Sequence, residues 1–185
     1  AVCAWIDKVH AMHPDCTFSV ETKIDGLSMS LRYVKEADGK LHLQLAETRG
    51  DGLIGEDVTA NARVVGDVLQ VIDLPYDSLE LRGEVYMSHE DFEKYNEEQE
   101  RLEKKTAANP RNLAAGTLRQ LDTSITKKRG LKMFIFNVQD GPAEIMESHG
   151  MGMDILKAAG VPVVYHKICK TKEEVISAID EIGRM

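Results

Sequence analysis

One short stretch, Glu21-Thr22-Lys23-Ile24-Asp25-Gly26, gathers residues able to act on a substrate. Lys23 and Asp25 are two apart, so on an extended backbone both leave the same face, with Glu21 beside them. Three ionisable groups beside apolar strand positions are costly unless they serve a ligand or one another. A lysine so placed suits nucleophilic attack, which needs the neutral amine. Bringing a lysine from about 10.4 to near 7 takes roughly 4–5 kcal/mol, from desolvation or neighbouring cations. A surface salt bridge followed by a turn glycine would read the same way. K-x-D-G alone arises by chance in roughly one chain in twenty-five of this length.

Further motifs change that weighing. Thr48-Arg49-Gly50-Asp51-Gly52 is followed by Gly55-Glu56-Asp57-Val58-Thr59-Ala60-Asn61, and Arg82-Gly83-Glu84-Val85-Tyr86 sits inside an apolar-alternating stretch. Asn109-Pro110-Arg111-Asn112 leads into Ala114-Ala115-Gly116-Thr117-Leu118-Arg119-Gln120-Leu121-Asp122. Net charge is −8, yet Lys104 to Arg129 carries seven bases and one acid. Bulk electrostatic coating of nucleic acid is therefore excluded, while a local patch is not. In that patch the arginines alternate with small residues, which let a backbone approach closely, and a spaced arginine fork grips phosphate. Asp51 and Asp57 read as loop and helix-cap residues.

The elements that must position these groups follow from the spacing. A helix is expected over Ala1–His13 and strands over Thr17–Glu21 and Leu27–Val34. A turn at Asp38-Gly39 and alternating Leu41, Leu43 and Leu45 complete a hairpin, and Arg49–Gly55 reads as a loop. Leu79–Met87 is a strand, and Ser88 caps a helix running to about Lys105. Arg111–Leu121 is helical, with one further turn starting at Asp122 or Thr123. Leu131–Val138 and Val163–Ile168 are strands, and Glu144–Ala159 and Lys172–Ile182 helices. Strands cluster early without regular β-α-β alternation, so the class is α+β with antiparallel sheets and flanking helices.

The chain has 185 residues, 43% of them apolar, enough for one ordinary domain with a real core. No apolar run reaches the roughly eighteen residues of a membrane helix, and no signal peptide is expected. Cys3, Cys16 and Cys169 cannot all pair internally, which points to a reduced, cytoplasmic setting. Cys3, His10, His13 and Cys16 match no common zinc spacing, and no metal ligand is assigned.

Taken together, these motifs resemble the adenylation (nucleotidyltransferase) domain of bacterial NAD-dependent DNA ligases, over roughly Trp5 to Ile182. The lysine motif is shared with ATP-dependent ligases and mRNA capping enzymes; the Arg49–Asn61 and Asn109–Asp122 stretches are characteristic of the NAD-using branch. The resemblance implies that Lys23 attacks the α-phosphate of NAD to form a lysyl-AMP. AMP then passes to the 5′ phosphate of a nick, and the 3′ hydroxyl displaces it. It implies that Glu21 reads the adenine amino group, that Asp25 orients the lysine and phosphate, and that Ile24 lies in the cofactor pocket. Arg49 would hold the ribose-phosphate and Glu84 a ribose hydroxyl, while Arg111 and Arg119 would engage nick phosphates. Mg²⁺ is implied without assigned ligands, as are nicked duplex DNA as partner, roles in DNA replication and repair, and neither a membrane nor an obligate protein partner.

Residues 1–185 would be one adenylation domain with no second domain, ending short of a downstream strand and lysine motif that line the AMP pocket in the family. The small domain that binds the nicotinamide mononucleotide half would lie upstream. The isolated chain is thus expected to be catalytically incomplete. The alternatives are an inert nucleotide- or nick-binding module and an ATP-dependent ligase or capping-enzyme relative.

Overall fold

The computed structural model describes residues 1–48 and 55–185. The chain divides into a larger unit, residues 24–163, and a smaller one drawn from its two ends, 1–23 and 164–185.

The larger unit is built on alternation of apolar and polar residues. Strands β2 (Leu27–Lys35), β3 (Leu41–Thr48), β4 (Val71–Ile72), β5 (Ser78–Tyr86) and β6 (Lys132–Asp140) pair antiparallel in the order β4-β3-β2-β5-β6. Gly39, at φ +79, makes the β2–β3 turn in the conformation that glycine adopts freely. Met29, Leu31 and Tyr33 of β2, Leu79, Leu81 and Val85 of β5, and Met133 and Ile135 of β6 are buried together. The opposite face carries Ser28, Ser30, Arg82 and Glu84, each half-buried.

Six helices accompany the sheet among the described residues of this unit. They are α2 (Thr59–Ala62), α3 (His89–Arg101), α4 (Pro110–Leu118), α5 (Thr123–Lys128), α6 (Ala143–Met146) and α7 (His149–Ala158). Leu113, Ala114 and Leu118 of α4 are buried, and α4 packs on β5 and β2. Ser88 caps α3 as expected, accepting from Asp91 N at 3.2 Å. The helix stops at Arg101, not Lys105. Asn96 binds both Ala107 N (2.8 Å) and Ala107 O (3.2 Å), turning the chain back, with Glu103 at φ 53.

Two further differences from expectation have local causes. The helix expected over Glu144–Ala159 is two helices, because Ser148 caps a second start and Gly152 lies against Ile145 O, where a Cβ would come within 2.5 Å. Val163 is not in the last strand. It bridges Ile135 in parallel, with Ile135 N donating to Pro162 O at 2.8 Å, so β6 claims this segment first.

In the smaller unit, β1 (Phe18–Glu21) pairs antiparallel with β7 (His166–Cys169), Phe18 opposite Cys169 and Glu21 opposite His166. Helices α1 (Val2–Met12) and α8 (Lys172–Ile182) cover this ribbon, burying Ile6, Phe18, Cys169, Val175 and Ala178. Helix α8 begins with a capping box between Thr171 and Glu174, and Lys172 reaches Asp7 of α1 at 2.6 Å. Among the described residues no helix is long and apolar enough to cross a membrane.

Candidate active site

Glu21 ends β1, where its carboxylate accepts from the Ser19 hydroxyl at 2.6 Å. Thr22 N continues the pairing onto Tyr165 O at 3.1 Å, after which Lys23 stands exposed. Both residues belong to the smaller unit. Ile24, half-buried, and Asp25, exposed, open the larger unit. Lys23 and Asp25 are exposed, and Ile24 between them is partly covered.

Within the larger unit the backbone after Asp25 meets the end of β5. Gly26 N donates to Glu84 Oε1 at 3.2 Å. Gly26 has no room for a side chain, since a Cβ would stand 2.1 Å from Val85 O. That close approach explains the glycine of K-x-D-G: it lets the loop backbone lie against β5, so that a carboxylate on β5 meets its amide. The Arg82 guanidinium lies 3.4 Å from Ser30 Oγ on the neighbouring strand. Asp25 Oδ1 lies 3.9 Å from Arg111 Nη1, a loose and exposed pairing.

Arg111 sits on the first turn of α4. Asn109 caps that helix by accepting from Asn112 N at 2.8 Å, and Pro110 occupies a first-turn position where its missing N–H costs nothing. Arg119 follows the last residue of α4, with Nε 2.7 Å from Glu56 Oε2. Glu56 is brought there because residues 56–58 run beside β3, Thr48 N donating to Glu56 O (3.0 Å) and Val58 N to Ala46 O (2.9 Å). Asp57 accepts from the Thr59 hydroxyl (2.6 Å) and the Thr59 amide (2.9 Å), which holds its carboxyl below its ordinary range. It is therefore a turn residue at the start of α2. Arg49 and Asp51 lie outside the described residues.

The spacing gave no sign of the buried polar network beneath Arg119. The Asn61 amide donates to Leu118 O (2.8 Å) and Gln120 O (2.7 Å). The Thr126 hydroxyl lies 2.7 Å from Asn61 Oδ1 and 2.9 Å from Thr117 O, and Arg129 donates to Thr117 Oγ1 at 2.8 Å. Asn61, Thr117 and Thr126 are all buried. The only sequence signal was the polar D-V-T-A-N run itself, because the partners lie more than 50 residues away.

Within the larger unit, a half-buried carboxylate on β5 and two exposed arginines are residue types suited to a sugar hydroxyl and to phosphate. The family described as NAD-dependent DNA ligase adenylation domain matches residues 1–185. This chain belongs to that family. Three of its curated relatives are each named DNA ligase. The protein from Jannaschia sp. (strain CCS1) is 46% identical over 164 residues, 88% of this chain and 21% of its own length. That from Clostridium kluyveri (strain ATCC 8527) is 43% identical over 182 residues, 98% of this chain and 27% of its own length. That from Lactobacillus helveticus (strain DPC 4571) is 53% identical over 137 residues, covering 74% and 20%. The chain thus spans between a fifth and about a quarter of the length of these relatives. The NAD-dependent adenylation fold of mixed helices and antiparallel sheet is the one expected from sequence.

Proposed function

We propose that residues 1–185, both units together, serve as one adenylation domain in a protein that seals nicks in duplex DNA, with NAD as adenylyl donor. The observation that carries this reading is the family match over the whole chain, with Lys23 inside its K-x-D-G motif. Lys23 Nζ attacks the α-phosphorus of NAD. A P–N bond forms, the bond to the nicotinamide mononucleotide half breaks, and the lysine loses a proton. Lys23 then releases AMP to the 5′ phosphate of a nick, and attack by the 3′ hydroxyl expels AMP as the strand closes.

The residues divide that work by their chemistry. Glu21 accepts from the adenine amino group, Ile24 lines the pocket and Glu84 accepts from a ribose hydroxyl while steadying the Gly26 amide. Asp25 orients the lysine and phosphate, Arg49 holds the ribose-phosphate, and Arg111 and Arg119 bind nick phosphates as charged forks. Transfer at phosphorus rests mainly on such positioning and charge stabilisation. Among the described residues no three or more His, Cys, Asp or Glu side chains form a metal cage. That is compatible with Mg²⁺ held chiefly by phosphates and water, where it would neutralise phosphate charge. A cytoplasmic setting and a role in replication and repair accord with this reading.

The test is intact mass after incubation with NAD and Mg²⁺, using the complete gene product. The expected result is a gain of one AMP that Lys23→Ala abolishes. A gain that survives the substitution removes Lys23 as nucleophile, and a gain from ATP but not NAD favours an ATP-dependent relative.

A further inference from the structure

Arg119 is exposed, sits just past a nine-residue helix and precedes a turn whose Leu121 is wholly exposed. Locally, Gln120 N donates to Thr117 O at 3.2 Å and the Gln120 side chain to Gly116 O at 3.0 Å. Arg119 Nε lies 2.7 Å from Glu56 Oε2, and a buried restraint on its backbone comes from Asn61, 6% exposed, whose two amide hydrogens go to Leu118 O and Gln120 O, the carbonyls on either side of Arg119. The Asn61 oxygen is taken by the Thr126 hydroxyl, so α5 is tied to the same point. Thr117, wholly buried, completes the chain by donating to Leu113 O and accepting from Arg129. Among the described residues, no buried side-chain nitrogen or oxygen is left without a partner.

Only a side-chain amide can donate twice and accept once at this site. An apolar residue would leave two carbonyls unmet, and a carboxylate would face them with lone pairs. A satisfied buried network has one geometry, and an exposed arginine launched from it begins close to its working position. We propose that Asn61, supported by Thr126, is a positioning residue for nick engagement, acting through Arg119 and not by touching DNA. The proposal rests on the reading of Arg119 as a phosphate contact.

A double-mutant cycle tests it, with the complete gene product titrated against a labelled nicked duplex bearing a 5′ phosphate, at several salt concentrations. Arg119→Ala is expected to weaken binding about tenfold and to lower the salt slope by about one. Asn61→Asp is expected to do the same alone and to change affinity less than about twofold in the Arg119→Ala background. Thr126→Val keeps shape and size, and is expected to weaken binding about threefold only when Arg119 is present. It carries the cycle if Asn61→Asp does not fold. A purely structural role would lower thermal stability without this dependence on Arg119. Additive losses in the double variants overturn the positioning role alone. Arg119→Ala binding the nicked duplex as tightly as the unaltered protein overturns the phosphate reading and the inference with it.

Discussion

Single side chains divide here into those whose chemistry was plain from their spacing and those visible only in three dimensions. The K-x-D-G glycine was legible as a turn, but its reason is the 2.1 Å approach to Val85 O, which no local pattern encodes. Asn61 was legible as the end of the Gly55–Asn61 motif but not as the tie to another helix, since its carbonyl partners belong to a distant helix end. Tyr33 shows the same gap. Its alternation placed it in β2, whereas the structure buries it to 1% exposure with its hydroxyl donating to Leu69 O at 2.8 Å. Burial raises its phenol pKa well above the ordinary value. A raised folded-state value means the stability contribution is whole below the unfolded pKa near 10 and is lost as pH rises beyond it. Tyr33→Phe should therefore cost about 1 kcal/mol near neutrality, from the unmet carbonyl. It should also flatten the fall in melting temperature between pH 9 and 11. An unchanged alkaline fall would show that Tyr33 does not govern it.

At the scale of elements, α4 joins a cap, a helix and an arginine proposed to bind phosphate in one short piece. Asn109→Ala removes the side chain that accepts from Asn112 N, and should destabilise the chain by about 1 kcal/mol in urea unfolding. Because Arg111 rides on that first turn, nick affinity should fall too; full affinity would mean the turn holds without its cap. Most elements could be read from the sequence because they obey local rules, such as strict alternation in β2 and β5 and caps at Ser88, Asn109, Asp122 and Thr171. The unread parts were set by tertiary contacts. Two-residue β4 exists because it lies beside Leu41 and His42 of β3. The break between α6 and α7 comes from Gly152 against Ile145 O, and the late start of β7 from the hold of β6 on Val163. That Glu84 meets the Gly26 amide was not legible, because the two are 58 residues apart.

Over the whole molecule, the two units have unequal means of staying folded. The larger buries a five-stranded sheet under its helices, while the smaller draws on 45 residues and one small apolar cluster. Units of that size are marginal. Trp5, the sole tryptophan, packs edge-on to Phe18 and so reports on the smaller unit alone. Its fluorescence should change at lower denaturant than the far-ultraviolet circular dichroism, which is dominated by the larger unit. Coincident transitions would show that the chain unfolds as one. The pairing of β1 with β7 also sets a timetable. Glu21 meets His166 only after 145 further residues have been added, which at about 5–20 residues per second is roughly 7–30 s on the ribosome. For that interval Phe18 and its neighbours in the first segment have no strand to lie against. The segment leading to Lys23 waits through synthesis of the whole larger unit before its partner strand is made, so a pause in translation anywhere between prolongs the exposure of that apolar stretch.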